Sequence, residues 1–200
     1  KDGFIKELWP SQKLLGEAGI FNGKSGTVQM PTSSGKTKAT EIIIRSAFLS
    51  GKTDLAVIVA PFRALCHDIK NDLTNSFVNE DINIEEFSDV FQRDFNPLDF
   101  RNLKHVVVVT PEKLLYVIRQ DPTFAPKIGL IIYDEGHQFD SGSRGITYEL
   151  LLASLKMIIP KEAQIILISA VISNSISINE WLNEGSESTV VSGDSLNSTY

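Results

Sequence analysis

Cysteine is nearly absent from these 200 residues: Cys66 stands alone. One thiol excludes an internal disulfide and any multi-cysteine zinc site, and it suits a reducing, cytoplasmic setting. Its own reading is a small buried apolar side chain. Long apolar runs are missing too. The longest, Ile165 to Ile172, is interrupted by Ser169 and falls far short of the ~20 residues a membrane helix needs. No membrane partner is therefore expected. Lys1-Asp2-Gly3-Phe4 has neither a starting Met nor the apolar core of a signal peptide, and Asn197 to Tyr200 carries no stop signal, so a longer parent chain is expected. Positive charge is scarce, with 19 Lys and Arg against 25 Asp and Glu for a net charge of −6. That excludes a basic arm; a nucleic-acid partner would have to use a local patch.

What is present is a 42% hydrophobic chain, enough for one sizeable core. Short apolar strands alternate with amphipathic helices. Thr27 to Met30 reads as a strand, then a polar loop, then a helix with Ala39, Ile42, Ile43 and Ala47 inward. Leu55 to Ala60 is a continuous apolar run, as expected of a strand covered on both faces. Pro61 is expected to open a helix carrying Leu65, Ile69, Leu73 and Phe77. Val106 to Val109 is the clearest strand, and Thr110-Pro111 reads as cap and first helical turn. Leu130 to Tyr133 is a strand, Ile146, Leu150, Leu151 and Leu155 mark a helix, and Ile165 to Ile168 a further strand. The acidic stretch from Asn79 to Asn102 gives no clear reading. The alternation predicts an α/β fold, a mainly parallel sheet with helices on both faces. Ligands of such sheets bind beyond the strands' carboxyl ends.

Gly-Lys-[Ser/Thr] occurs three times, at Gly23, Gly35 and Gly51. A phosphate-binding loop must leave a strand, expose successive backbone N–H groups and enter a helix whose positive end faces the anion. Only Gly35 has a strand before it and a helix after it; the other two read as turns. The loop Pro31-Thr32-Ser33-Ser34-Gly35-Lys36-Thr37 is small and polar enough to wrap a β-phosphate. Lys36 would neutralise the β/γ oxygens and the Thr37 hydroxyl would ligate Mg²⁺. Met30 stands where the pattern usually has its first Gly. A second motif, Leu130-Ile131-Ile132-Tyr133-Asp134-Glu135-Gly136-His137, ends an apolar strand in two carboxylates and an imidazole. Charge at the mouth of a sheet needs a partner, and Mg²⁺ supplies one: Asp134 would hold the ion opposite Thr37, and Glu135 would accept a proton from the attacking water. The two motifs together read as a P-loop NTPase site.

These residues resemble the first RecA-like domain of a superfamily 2 helicase, with Asp134-Glu135-Gly136-His137 as its DExH box. Trp9-Pro10-Ser11-Gln12 looks like the Q motif, which implies that Gln12 reads the adenine edge. Ala60-Pro61-Phe62-Arg63-Ala64-Leu65 is similar to motif Ia, Val109 to Leu115 to motif Ib, and Ser169-Ala170-Val171 to motif III, with Val171 in place of the usual Thr. Arg144-Gly145 with Tyr148-Glu149, and Ser173-Asn174 with Glu180-Trp181-Leu182, resemble the Ski-type branch, which includes exosome-associated RNA helicases and an archaeal DNA-repair helicase. The resemblance implies a lead-in over 1–25, a RecA-like domain over 26–192, and an exit over 193–200 toward a second RecA-like domain.

It further implies nucleotide binding by Gln12, Thr32, Ser33, Ser34, Gly35, Lys36 and Thr37, catalysis by Lys36, Asp134 and Glu135, and coupling through His137 and Ser169. Arg63 and Thr110 would touch a DNA or RNA strand, lying on the same crevice edge. His67 and His105 read as structural or surface residues, and Trp181 as packing. The function so implied is an ATP- and Mg²⁺-dependent helicase or translocase, nearly inactive as this lobe alone. The alternatives are a double-strand DNA translocase of a restriction or remodelling type, or a nucleotide-gated interaction module. A small-molecule kinase would need a basic lid segment, and none is legible.

Overall fold

The computed structural model describes residues 8–30, 35–87, 103–135, 142–170 and 174–192, with residues 142–145, 147 and 148 described by backbone only. Within these lie six helices and seven strands, which alternate except that no helix is described between β3 and β4. They are α1 (Pro10–Glu17), β1 (Ser25–Gln29), α2 (Lys36–Leu49), β2 (Leu55–Val59), α3 (Arg63–Ser76), β3 (Ile82–Glu86), β4 (Lys104–Val109), α4 (Pro111–Gln120), β5 (Leu130–Asp134), α5 (Gly142–Ile158), β6 (Gln164–Ser169), α6 (Ser175–Leu182) and β7 (Ser188–Val191). The strands form one sheet in the order β3-β4-β2-β5-β6-β1-β7. Every pairing is parallel, as strands joined through helices require. The expected α/β architecture is the one observed.

Alternate residues of the apolar strands feed two cores. Ala56, Ile58, Val106, Val108, Leu130 and Ile132 point to the face that carries α1, α2 and α3, where Leu15, Ile43, Ile44, Phe48, Leu73 and Phe77 cover them. Val57, Val59, Val107, Val109, Ile131 and Tyr133 point to the other face, under Leu114, Ile118, Leu151 and Leu155 of α4 and α5. Each such side chain contributes ~1.5–3 kcal/mol on burial. Burial on both faces explains why these strands read as unbroken apolar runs.

Four details depart from the sequence reading. Pro61 does not open α3: Phe62 stays extended (φ −137°, ψ 147°) as its N-cap, and the helix starts at Arg63. Ile146 and Leu150 lie on the exposed side of α5, which buries the expected Leu151 and Leu155 together with Leu152. The unread acidic stretch contains β3, an edge strand on β4, and β7 adds another edge strand on β1. No helix among the described residues is long and apolar enough to cross a membrane.

Strand register sets the site. Gln29 lies opposite Ser169, Asp134 opposite Ile168, Val59 opposite Tyr133 and opposite Val109. The carboxyl ends of β1, β6, β5, β2 and β4 therefore finish on one line. Backbone hydrogen bonds continue past the strand ends, from Met30 N–H to Ser169 O at 2.8 Å and from Ala60 N–H to Val109 O at 3.0 Å.

Candidate active site at the carboxyl edge

Gly35 is the N-cap of α2 and takes a left-handed conformation (φ 80°), which a side chain at that position would strain. Crowding adds to the demand. A Cβ there would sit 3.1 Å from the Trp9 ring and 3.3 Å from Gln12 Nε2. The Q-motif-like segment thus lies directly against the loop Gly. Gln12 is buried, and its Oε1 accepts the Trp9 N–H at 3.0 Å, which fixes the start of α1. After Gly35 the first turn of α2 presents unpaired N–H groups at its positive end.

Lys36 is the first residue of that turn and is buried. Its ammonium ties the start of α2 to the end of β5, pairing with Asp134 Oδ1 and, at 2.5 Å, with Glu135 Oε1 from 99 residues away. Asp134 ends β5 with its carboxylate largely shielded from water. Burial raises its proton affinity above the usual carboxylate range, and the Lys36 charge works against that shift. Its Oδ1 also accepts the Glu135 N–H at 3.0 Å. Glu135 itself has φ 55°, the one positive φ outside glycine among the described residues. Such a conformation costs ~1–3 kcal/mol and persists where surrounding contacts impose it; here the two acid–ammonium pairs do so. Thr37 joins Lys36, Asp134 and Glu135 around one cavity.

Two carboxylates, one ammonium and a hydroxyl at a helix N-terminus form a donor set that fits a magnesium-bound triphosphate. Thr37 and Asp134 would hold the cation, while Lys36 and the α2 amides would hold the phosphates. The remaining expected residues divide by place. Ser169 is fully buried at the end of β6. Arg63 opens α3, exposed, on the same edge. Thr110 is the N-cap of α4, yet its hydroxyl makes no capping bond. Thr32, Ser33, Ser34 and His137 lie outside the described residues, as does Val171. Met30 is fully buried, so the position of the usual loop Gly is filled by core. His67 is exposed and 3.4 Å from Glu86, His105 is buried, and Trp181 is partly exposed beneath Lys156.

Sequence reasoning passed over three residues that line the same cavity: Thr40 on α2, and Asp68 and Asp72 on α3. The two acids sit four apart beside Leu65, Ile69 and Leu73, a spacing that places them along one helix face.

A profile of the DEAD/DEAH box helicase family matches residues 9–178. The chain belongs to the DEAD/DEAH box helicases. Among curated proteins, Hachiman protein HamB of Bacillus cereus is 32% identical over 183 residues, covering 90% of this chain and 16% of that protein. ATP-dependent DNA helicase Hel308 of Methanocella arvoryzae is 29% identical over 181 residues, covering 90% of this chain and 24% of that one. Hel308 of Thermococcus kodakarensis is 28% identical over 185 residues, covering 92% and 16%. These likenesses bear out the Ski-type resemblance. Among solved structures, the DUF1998 helicase MrfA bound to DNA superposes with a TM-score of 0.66 at 20% identity, over 98% of this chain and 30% of that one; it shares the fold. The chain thus spans a quarter or less of each of these curated relatives.

Proposed function

We propose that this chain is the ATP-binding lobe of an ATP-dependent nucleic-acid motor, and that DNA is its track. The observation that carries the reading is the convergence of Lys36 with Asp134 and Glu135 at the N-terminus of α2. DNA is chosen because the Hel308 relatives are named DNA helicases.

Lys36 exchanges its two carboxylate partners for the β/γ oxygens when nucleotide binds, which frees Asp134 and Glu135. Asp134 and Thr37, which line one cavity, would then hold the magnesium. Magnesium, when bound, draws charge from the phosphate oxygens and so eases attack at the γ-phosphorus. Glu135 takes the proton of the attacking water. Gln12, Thr32, Ser33 and Ser34 complete the nucleotide contacts, with Gln12 at the adenine. Ser169 and His137 relay the nucleotide state along the carboxyl edge. Arg63 and Thr110 hold strand phosphates, a small number of charges that an acidic lobe can supply. A second RecA-like domain in the same chain closes the site and supplies the remaining cations around the γ-phosphate.

The test is ATPase activity of the full-length protein with single- and double-stranded DNA and RNA. Stimulation by a DNA strand is expected, and Lys36→Ala is expected to weaken ATP binding on the order of ten- to a hundred-fold, the worth of a charge-assisted contact. Unaltered nucleotide affinity in that variant would remove the loop assignment. A strand-displacement assay separates a helicase from a double-strand translocase.

A further inference from the structure

Between α2, α3 and the ends of β2 and β5 lies a cavity of about 180 Å³. That volume has room for about six waters at ~30 Å³ each. Its floor is apolar, made by Ile58, Ile132 and Leu73. Glu135 opens onto it at one end, with Thr37 and Thr40 on the α2 wall and Asp68 and Asp72 on the α3 wall. Lys36 and Asp134 line it as well, so water inside meets an ammonium, hydroxyls and carboxylates. Glu135 therefore shares this water-accessible cavity with two exposed acids of a different helix.

The two ends of α3 are held differently. Its C-terminal end is clamped to α2. Glu41, only 2% exposed, accepts the Ser76 hydroxyl at 2.7 Å and pairs with Arg45 at 3.3 Å. Arg45 in turn donates to Ser76 O at 2.9 Å, pairs with Glu80 at 2.9 Å and lies 4.3 Å above the Phe77 ring. Toward the N-terminal end, the cavity stands where side chains of α2 and α3 would otherwise interlock. Leu65 and Ile69 are only half-buried there, whereas Leu73 and Phe77 are fully buried. The smaller Cys66 makes the seat, its thiol 3.9 Å from Ala60 O. Close-packed interiors resist displacement, so the N-terminal half of α3, which faces the cavity on its α2 side, is held less firmly to α2 than the clamped C-terminal end.

We propose that α3 is a lever, pivoting on the Glu41–Arg45–Ser76 clamp, that carries strand contact at Arg63 into the catalytic cavity, with Asp68 as the positioning residue for the water before Glu135. The proposal rests on the functional reading above. Asp68 follows Arg63 by five residues, about 7.5 Å along a helix axis at 1.5 Å per residue, so a phosphate that draws Arg63 also moves Asp68. Neither acid belongs to the nucleotide motifs, and neither is needed to hold phosphate.

The experiment uses the full-length protein and a saturating single-stranded DNA oligonucleotide. It measures ATPase with and without strand, KM for ATP, and strand affinity by fluorescence anisotropy. Asp68→Asn, which keeps size and shape, is expected to cut the ratio of stimulated to unstimulated rate at least five-fold, with KM for ATP and strand Kd held within two-fold. Asp68→Glu is expected to recover at least half of the stimulation. Arg45→Met, which loosens the pivot, is expected to lower the same ratio, and the double variant to lose no more than the worse single one. Equal loss in both rates, full stimulation in Asp68→Asn, or fully independent effects in the double variant would each overturn the lever. A wild-type protein that no strand stimulates would overturn the functional reading as well. Stimulation retained by Asp68→Asn in an otherwise responsive protein would remove the lever alone.

Discussion

Glu135 is asked to do two things that conflict: to sit in a backbone conformation that side chains avoid (φ 55°) and to hold a carboxylate beside another one. The Lys36 ammonium, paired with both carboxylates, offsets both. Glu135→Gln keeps the shape and the strain but removes the proton acceptor. Turnover of the full-length protein should then fall ~10²- to 10⁴-fold, while ATP affinity, read by equilibrium binding, should stay within a few-fold. Survival of turnover would take the base role from Glu135. Cys66 makes a quieter prediction. Burial, helped by the Glu86 charge, pushes its thiol pKa from 9.0 to about 12. In the unfolded chain the thiol ionises first, so the folded state gives up stability as pH climbs from about 9 toward 12. At pH 8 a thiol reagent should therefore modify the native protein very slowly and the urea-unfolded protein within minutes. Fast native labelling would contradict the buried position.

At the scale of elements, what could be read from the sequence followed from burial. β2, β4, β5 and β6 are covered on both faces, and their Val- and Ile-rich runs stand out for that reason. The meeting of Lys36 with the acidic strand end was legible because charged residues sit where an apolar run stops. β3 was not, since its residues are all half-buried and an edge strand carries charges such as Glu85 and Glu86 to deter further pairing. β7 was missed for a similar reason: three of its four residues are only partly buried. The start of α3 was misplaced because proline favours a first helical turn but equally suits an extended exit from β2. Asp68 and Asp72 carry no signal until α2 is packed beside them. Gly26 offers a check on the β1–β7 contact. A Cβ there would meet Thr189 O at 2.5 Å and Ile20 Cδ1 at 3.0 Å. Gly26→Ala should therefore cost about 1–3 kcal/mol and lower the thermal midpoint by several degrees. An unchanged midpoint would mean that β7 is not seated against β1 as described.

On the scale of the whole molecule, the sheet order separates neighbours in space from neighbours in sequence. β1, which leads into the phosphate loop, pairs only with β6 and β7, the last strands of the described chain. On a ribosome, β1 leaves the exit tunnel and then waits for partners made more than a hundred residues later. Until those emerge, its backbone groups have no parallel strand on either side, and long-range pairing of this kind is slow to form. Nascent chains stalled before residue 188 should therefore remain sensitive to protease around residues 25–29, and chains stalled with residues 188–191 fully emerged should not. Protection that arrives while β7 is still inside the tunnel would show that β6 alone suffices. The Gly35–Lys36 turn that follows β1 is, on this view, seated only after strands that lie far downstream of it have been made.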